Sequence, residues 1–167
     1  MKRFMLVVVL FICTTFAYSQ KSICGVDFGS SYESAKSILE RKFGEADSDK
    51  KDEICYLNRE YEGFKFNGIL FTFQSDGYNT YFNDCFFFKK FMDFATAKEF
   101  SRNLFIRLAE KYDNIKTVAF ENFVGAMGGK SPVSDNDFGF FLVTEKDNIG
   151  YTVTLEYGPY NYIKEEF

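Results

Sequence analysis

Between Ile54 and Phe91, Phe and Tyr recur at the spacing of β-strands, and glycine-containing turns divide the run. A sheet formed there is the surface on which the rest of the chain must pack. In Ile69-Leu70-Phe71-Thr72-Phe73-Gln74 successive side chains point to opposite faces, so Ile69, Phe71 and Phe73 share one side, and Leu70, Thr72 and Gln74 the other. Asp76-Gly77 follows, a hairpin signal because glycine reaches positive φ without steric cost. A two-residue loop there predicts Phe73 opposite Thr80 and Phe71 opposite Phe82, with the aromatic face continuing through Phe86 and Phe88. The preceding turn is expected at Glu62-Gly63, with Asn67-Gly68 as a bulge inside one longer strand. Strands are therefore predicted over Ile54–Arg59, Phe64–Gln74 and Tyr78–Phe91.

Two helices flank this run. Ser30 with Glu33 makes a capping box, and Tyr32, Ala35, Ile38, Leu39 and Phe43 follow at helical spacing. Arg41 and Lys42 suit the negative end of that helix, and Gly44 suits its cap. Thr96 with Glu99 makes a second box. Ala97, Phe100, Leu104, Leu108 and Tyr112 give a second stripe, broadened by Phe105 and Ile106, in a helix ending near Asp113. Residues Glu45–Glu53 read as a charged loop, Lys116–Phe123 as a strand and Gly125–Asp137 as a mobile loop. Gly139–Thr144 and Tyr151–Tyr157 read as a terminal hairpin. The expected fold is α+β, an antiparallel sheet with two helices on one face, arranged as two helix-plus-three-strand units over residues 20–91 and 92–167 of a single domain.

The first residues point to a compartment. Met1-Lys2-Arg3 is basic, Phe4–Phe16 is largely apolar, and Ala17-Tyr18-Ser19 supplies small residues at a cleavage site, so residues 1–19 read as a secretory signal peptide removed ahead of Gln20. The apolar run is shorter than the roughly 20 residues that span a bilayer, and no membrane span is expected after cleavage. The protein is expected to be exported, to the periplasm or the cell exterior. The full chain holds 20 basic and 24 acidic residues, and loss of Lys2 and Arg3 makes it more acidic still, which argues against nucleic acid as a partner.

Cys24, Cys55 and Cys85 remain after cleavage, a count that suits one disulfide and a spare thiol in an oxidising compartment. If Cys55 and Cys85 lie on strands flanking a common middle strand they sit about 9 to 10 Å apart, beyond disulfide reach. Cys24 is then the common partner, with Cys55 or Cys85; three reduced buried thiols are the alternative.

The chain has no His, which removes Ser-His-Asp and Cys-His arrangements and the commonest metal ligand. No cysteine has a Cys-x-x-Cys partner. A pair of carboxylates remains chemically able to hydrolyse glycosides. Gly128-Gly129-Lys130-Ser131 departs from a phosphate loop, since Val124 stands where glycine is needed and Pro132 where a helix should run. Asp135-Asn136-Asp137 and the acids from Asp47 to Glu53 lack the Gly and Glu of an EF-hand loop. Neither a cofactor nor a metal is expected. Tyr157, Tyr160 and Tyr162 form an interaction surface or cover a sheet edge.

Gly25-Val26-Asp27-Phe28-Gly29-Ser30-Ser31, the helix with Ala35 and Leu39, and then Phe43-Gly44 carry a resemblance. Together they resemble the opening of small exported bacterial modules of the BamE/SmpA and beta-lactamase-inhibitor-like kind, and of uncharacterised exported proteins with the same opening. That resemblance implies short helices joined to an antiparallel sheet, and work by protein contact rather than catalysis. The expected function is a non-enzymatic domain binding another envelope or secreted protein. A carbohydrate- or small-ligand-binding module is the alternative, and an acid-pair hydrolase comes third.

Overall fold

The computed structural model describes residues 21–120, 123–131 and 138–158. The expected signal peptide, Asp135-Asn136-Asp137, Tyr160 and Tyr162 lie outside the described residues. In chain order the elements of the first half are β1 (Ser22–Ile23), β2 (Val26–Asp27), α1 (Tyr32–Phe43), β3 (Ser48–Lys50), β4 (Glu53–Leu57), β5 (Glu60–Tyr61), β6 (Phe64–Lys65), β7 (Gly68–Ser75) and β8 (Thr80–Phe91). The second half supplies α2 (Phe94–Ala109), β9 (Lys116–Phe120), β10 (Phe123–Gly128), β11 (Phe140–Lys146) and β12 (Tyr151–Tyr157).

The main sheet has eight antiparallel strands in the order β3-β4-β7-β8-β12-β11-β10-β9. The fold is α+β, as expected. Each half contributes four strands to the sheet rather than three, its first strand at an outer edge and its last at the centre. The seam between halves is the pairing of β8 with β12, which runs from Cys85 opposite Tyr157 to Phe91 opposite Tyr151.

The extra strands arise where charge and glycine had suggested loops. In the first half, β3 pairs with β4 although its residues are polar, because their acids are held: Arg59 pairs with Asp47, Lys36 with Asp49, and Asp47 accepts from the Leu57 amide at 2.8 Å. In the second half, residues expected to begin a loop form β10 between β9 and β11. Gly125 stands in that strand because a Cβ there would lie 2.6 Å from the Leu142 carbonyl oxygen. The end of β10 is anchored, since Asn114 accepts from the Gly129 amide at 2.8 Å and donates to the Gly129 carbonyl at 2.7 Å. Gly128, Gly129 and Ser131 are buried, which corrects the mobile-loop expectation for this stretch.

Both helices carry the expected apolar stripes with shifted starts. Ser31, not Ser30, caps α1 by accepting from the Ser34 amide. The Ser30 carbonyl is already engaged, accepting from the Phe82 amide at 2.8 Å. Asp93, not Thr96, caps α2; it accepts from the Thr96 amide and hydroxyl at 2.9 and 2.8 Å. The last turn of α2 ends at Ala109, short of Asp113, and Ile106 is exposed rather than part of the stripe. Ala35 and Leu39 of α1 and Ala97, Leu104 and Leu108 of α2 are buried against one face of the sheet.

That face is aromatic but not in the expected register. The loop after β7 is longer than two residues, so Ser75 pairs with Thr80 and Phe73 with Phe82. A bulge then places Thr72 opposite Asp84 and Phe71 opposite Cys85. The extra residue, Asn83, reverses the alternation of β8. Phe82, Cys85 and Phe87 face the helices, whereas Phe86 and Phe88 turn to the opposite face with Asp84. Burying a Phe ring is worth about 1.5–3 kcal/mol, so the helix-facing side of β8 outweighs the ladder bonds lost at the bulge.

Residues 58–67 make a bent arm instead of one long strand. The turn falls at Glu62-Gly63 as expected, but β5 and β6 pair with each other outside the main sheet. The arm folds its rings onto the helix-facing core: Tyr61 stacks on Phe87 at 4.6 Å, and Phe64 and Phe66 meet Phe100 edge-on at 5.6 and 5.8 Å. On the other side, Phe43 of α1 packs on Tyr56 at 5.2 Å. The lead-in before α1 is a small hairpin of β1 and β2, with Phe28 stacked on Phe82 at 4.8 Å.

Gly125→Ala should force β10 from β11, because the obstacle is backbone and no side chain can swing away. A loss of about 1–3 kcal/mol is expected, read as a Tm drop of about 2–4 °C per kcal/mol in thermal unfolding; an unchanged Tm would show the strands further apart than described.

Candidate ligand cavity and the open sheet face

Besides its core stripe, α2 presents a second line of residues, Phe94, Lys98, Ser101 and Phe105, spaced four, three and four apart, with Arg102 beside it. The helix packs over β8, β12 and β11, and the sheet continues past it into β10 and β9. The overhang leaves a cavity of about 240 Å³. Its helix wall is that second line together with Arg102. Its sheet wall comes from Thr117 of β9, Gly125 and Ala126 of β10, and Leu142 and Thr144 of β11.

The walls are mainly apolar, and their polar side chains are Lys98, Ser101, Arg102, Thr117 and Thr144. Lys98 and Arg102 sit one helical turn apart on the cavity rim, and among the described residues neither makes a hydrogen bond or ion pair. Along β11, Phe140, Leu142 and Thr144 share the buried face, and Thr144 is the polar one. It is 4% exposed, and its buried hydroxyl finds no hydrogen-bond partner among the described residues. A buried hydroxyl left unmatched is costly, on the order of 1–3 kcal/mol.

The face of the sheet turned away from the helices carries a different constellation. Strand register aligns Cys55, Leu70, Phe86, Glu156, Phe141 and Met127 in one row across the sheet. Glu156 thus stands between two Phe side chains on neighbouring strands. Burial, with a smaller contribution from Asp84, pushes its carboxyl up from 4.5 to about 7. Burial also raises Asp84, against the lowering effect of hydrogen bonds from Asn83 and Thr72. One oxygen of Asp84 is buried without a hydrogen-bond partner among the described residues. Glu156 and Asp84 thus share this face, and no group of three or more metal-ligating side chains is found among the described residues.

The sequence-predicted site residues fare unevenly. Tyr157 is 0% exposed in the core, where burial raises its phenol well above the ordinary value; it is not an interaction surface. The alternation Val153, Leu155, Tyr157 on a central strand places it there. Cys24, Cys55 and Cys85 are free thiols. Cys85 faces the helices and is buried, Cys24 is buried in the turn between β1 and β2, and Cys55 lies on the open face. Burial pushes the Cys24 thiol up to about 12 and raises Cys85 well above its ordinary value, which makes both poor nucleophiles. Sequence reading missed the cavity; Phe105 beside the core stripe was its one visible trace.

No protein-family model, curated protein or solved structure matches this chain.

Glu156 gives stability a predictable pH dependence. Its folded carboxyl keeps a proton to about pH 7, whereas the unfolded one releases it near 4.5, so the folded state binds more protons in that window and stability falls as pH rises through it. Glu156→Gln should leave unfolding unchanged at pH 4 and raise the denaturation midpoint at pH 8. Parallel stability curves for the two proteins from pH 4 to 8 would contradict this assignment.

Proposed function

We propose that this chain is an exported, non-catalytic binding domain whose working site is the cavity between α2 and the β9–β11 end of the sheet. The observation that carries the reading is the cavity itself: an apolar space of about 240 Å³, built where the sheet outruns its helix layer. It is a little smaller than the roughly 300–1,000 Å³ of most small-molecule sites, so its occupant is small. The basic and apolar start of the chain supports export, and the lack of His supports binding over catalysis.

N-phenyl-1-naphthylamine, a neutral apolar dye, should bind saturably with one-to-one stoichiometry and brighten. Ser101→Phe, which fills the cavity from a half-buried helix position, should abolish the signal while leaving Tm within about 2 °C. Dye binding that survives this substitution would place the site elsewhere, and no binding by the unaltered protein would overturn the reading.

A protein partner in the envelope or outside the cell is the second reading, favoured by a different observation. Met92 and Ile149 are 84% and 71% exposed and share one shallow depression at the end of the sheet where β8 leaves for α2. Large apolar side chains grouped in this way mark contact surfaces. Capture of one specific envelope protein, lost in a Met92→Glu, Ile149→Glu double variant but kept in Ser101→Phe, would move the working surface there.

A further inference from the structure

The cavity's own chemistry narrows what it takes up, granted the small-ligand reading above. We propose that the ligand is an amphipathic carboxylate, a medium-chain fatty acid in chemical class, with its tail among Phe105, Leu142 and Ala126 and its headgroup between Lys98 and Arg102.

Three features converge on a single negative charge joined to an apolar body. First, the polarity is asymmetric: the cavity has two cations at its rim and, among the described residues, no acid in its lining. An ammonium headgroup would meet only repulsion there, whereas a carboxylate is complementary to both side chains, and the guanidinium fork can hold its two oxygens.

Second, the two cations are strained against each other. Like charges four residues apart on a helix destabilise it by about 0.2–0.5 kcal/mol, and no acid among the described residues pairs with them. An anion bound between Lys98 and Arg102 turns a local repulsion into two attractions.

Third, the interior wall is mainly apolar: Phe94, Phe105, Ala126 and Leu142 face it, and its hydroxyls are those of Ser101, Thr117 and Thr144, the last buried without a partner among the described residues. A sugar would leave those hydroxyls that lie against Phe94, Phe105, Ala126 and Leu142 with nothing to bond, at a cost of about 1–3 kcal/mol for each. A hydrocarbon tail incurs no such penalty, and each methylene removed from water contributes about 0.8 kcal/mol.

The test is displacement of bound N-phenyl-1-naphthylamine by three ten-carbon amphiphiles: decanoate, decanol and decyltrimethylammonium. Decanoate should displace the dye at least tenfold more effectively than decanol, and the cation should be the weakest competitor. In a Lys98→Gln, Arg102→Gln double variant the dye and decanol should bind as before while the advantage of decanoate disappears. Raising salt from 0.05 to 0.5 M should weaken decanoate but not decanol, since the rim charges are open to screening. Equal displacement by decanoate and decanol would overturn the carboxylate assignment and leave the cavity reading intact. Dye binding that none of the three amphiphiles displaces would overturn the fatty-acid class. Failure of the dye itself to bind would remove both.

Discussion

Everything in this molecule depends on the antiparallel pairing of β8 with β12. Each half on its own is a four-stranded sheet that ends in an unpaired strand, and an unpaired apolar edge invites association with other chains. The seam uses up both of those edges. It also completes the core, because Phe87 of β8 and Tyr157 of β12 meet edge-on at 6.0 Å, and Phe140 of β11 continues the cluster at 6.1 Å from Tyr157. The strands left at the outer edges are β3 and β9, and β3 is short and polar, which is how natural sheets blunt an exposed edge.

The helix layer explains why one end of the sheet is filled and the other is hollow. On the first half, α1 and the bent arm of β5 and β6 together cover the aromatic face, and the rings of Phe43, Tyr61, Phe64 and Phe66 fill the space between them. Among the described residues the second half shows no such arm. There α2 packs on β12 and β11, and the small residues Gly125 and Ala126 on β10 bring no bulk to close the gap.

Much of the architecture was legible in the sequence because it is written as periodicity. Alternation along Ile69–Gln74 gave β7, and the stripes through Ala35 and Leu39 and through Ala97, Leu104 and Leu108 gave the helices. What was not legible depended on where backbone groups found partners. The bulge at Asn83 moved Phe86 and Phe88 to the other face, and no pattern in the residues announces it. β10 was hidden because its glycines carry the usual mark of a loop, whereas here they permit close approach to β11. The helix starts moved because several Ser, Thr and Asp residues stood ready to cap, and the sheet had already engaged one of them. The cavity was the least legible, since Lys98 and Arg102 read as an ordinary solvated helix face until the sheet is seen to run beneath them.

The order of strands also sets a timetable. β8 is complete at Phe91, but its partner begins only at Tyr151, so the centre of the sheet is the last part to be supplied as the chain emerges from a ribosome or a translocation channel. Through that interval the nascent first half carries its most aromatic strand as a bare margin, and contacts so distant along the chain form slowly. A chain of this topology therefore has reason to be shielded in transit. The cell's holding chaperones would be expected to recognise β8 until Tyr151–Tyr157 arrives to occupy it.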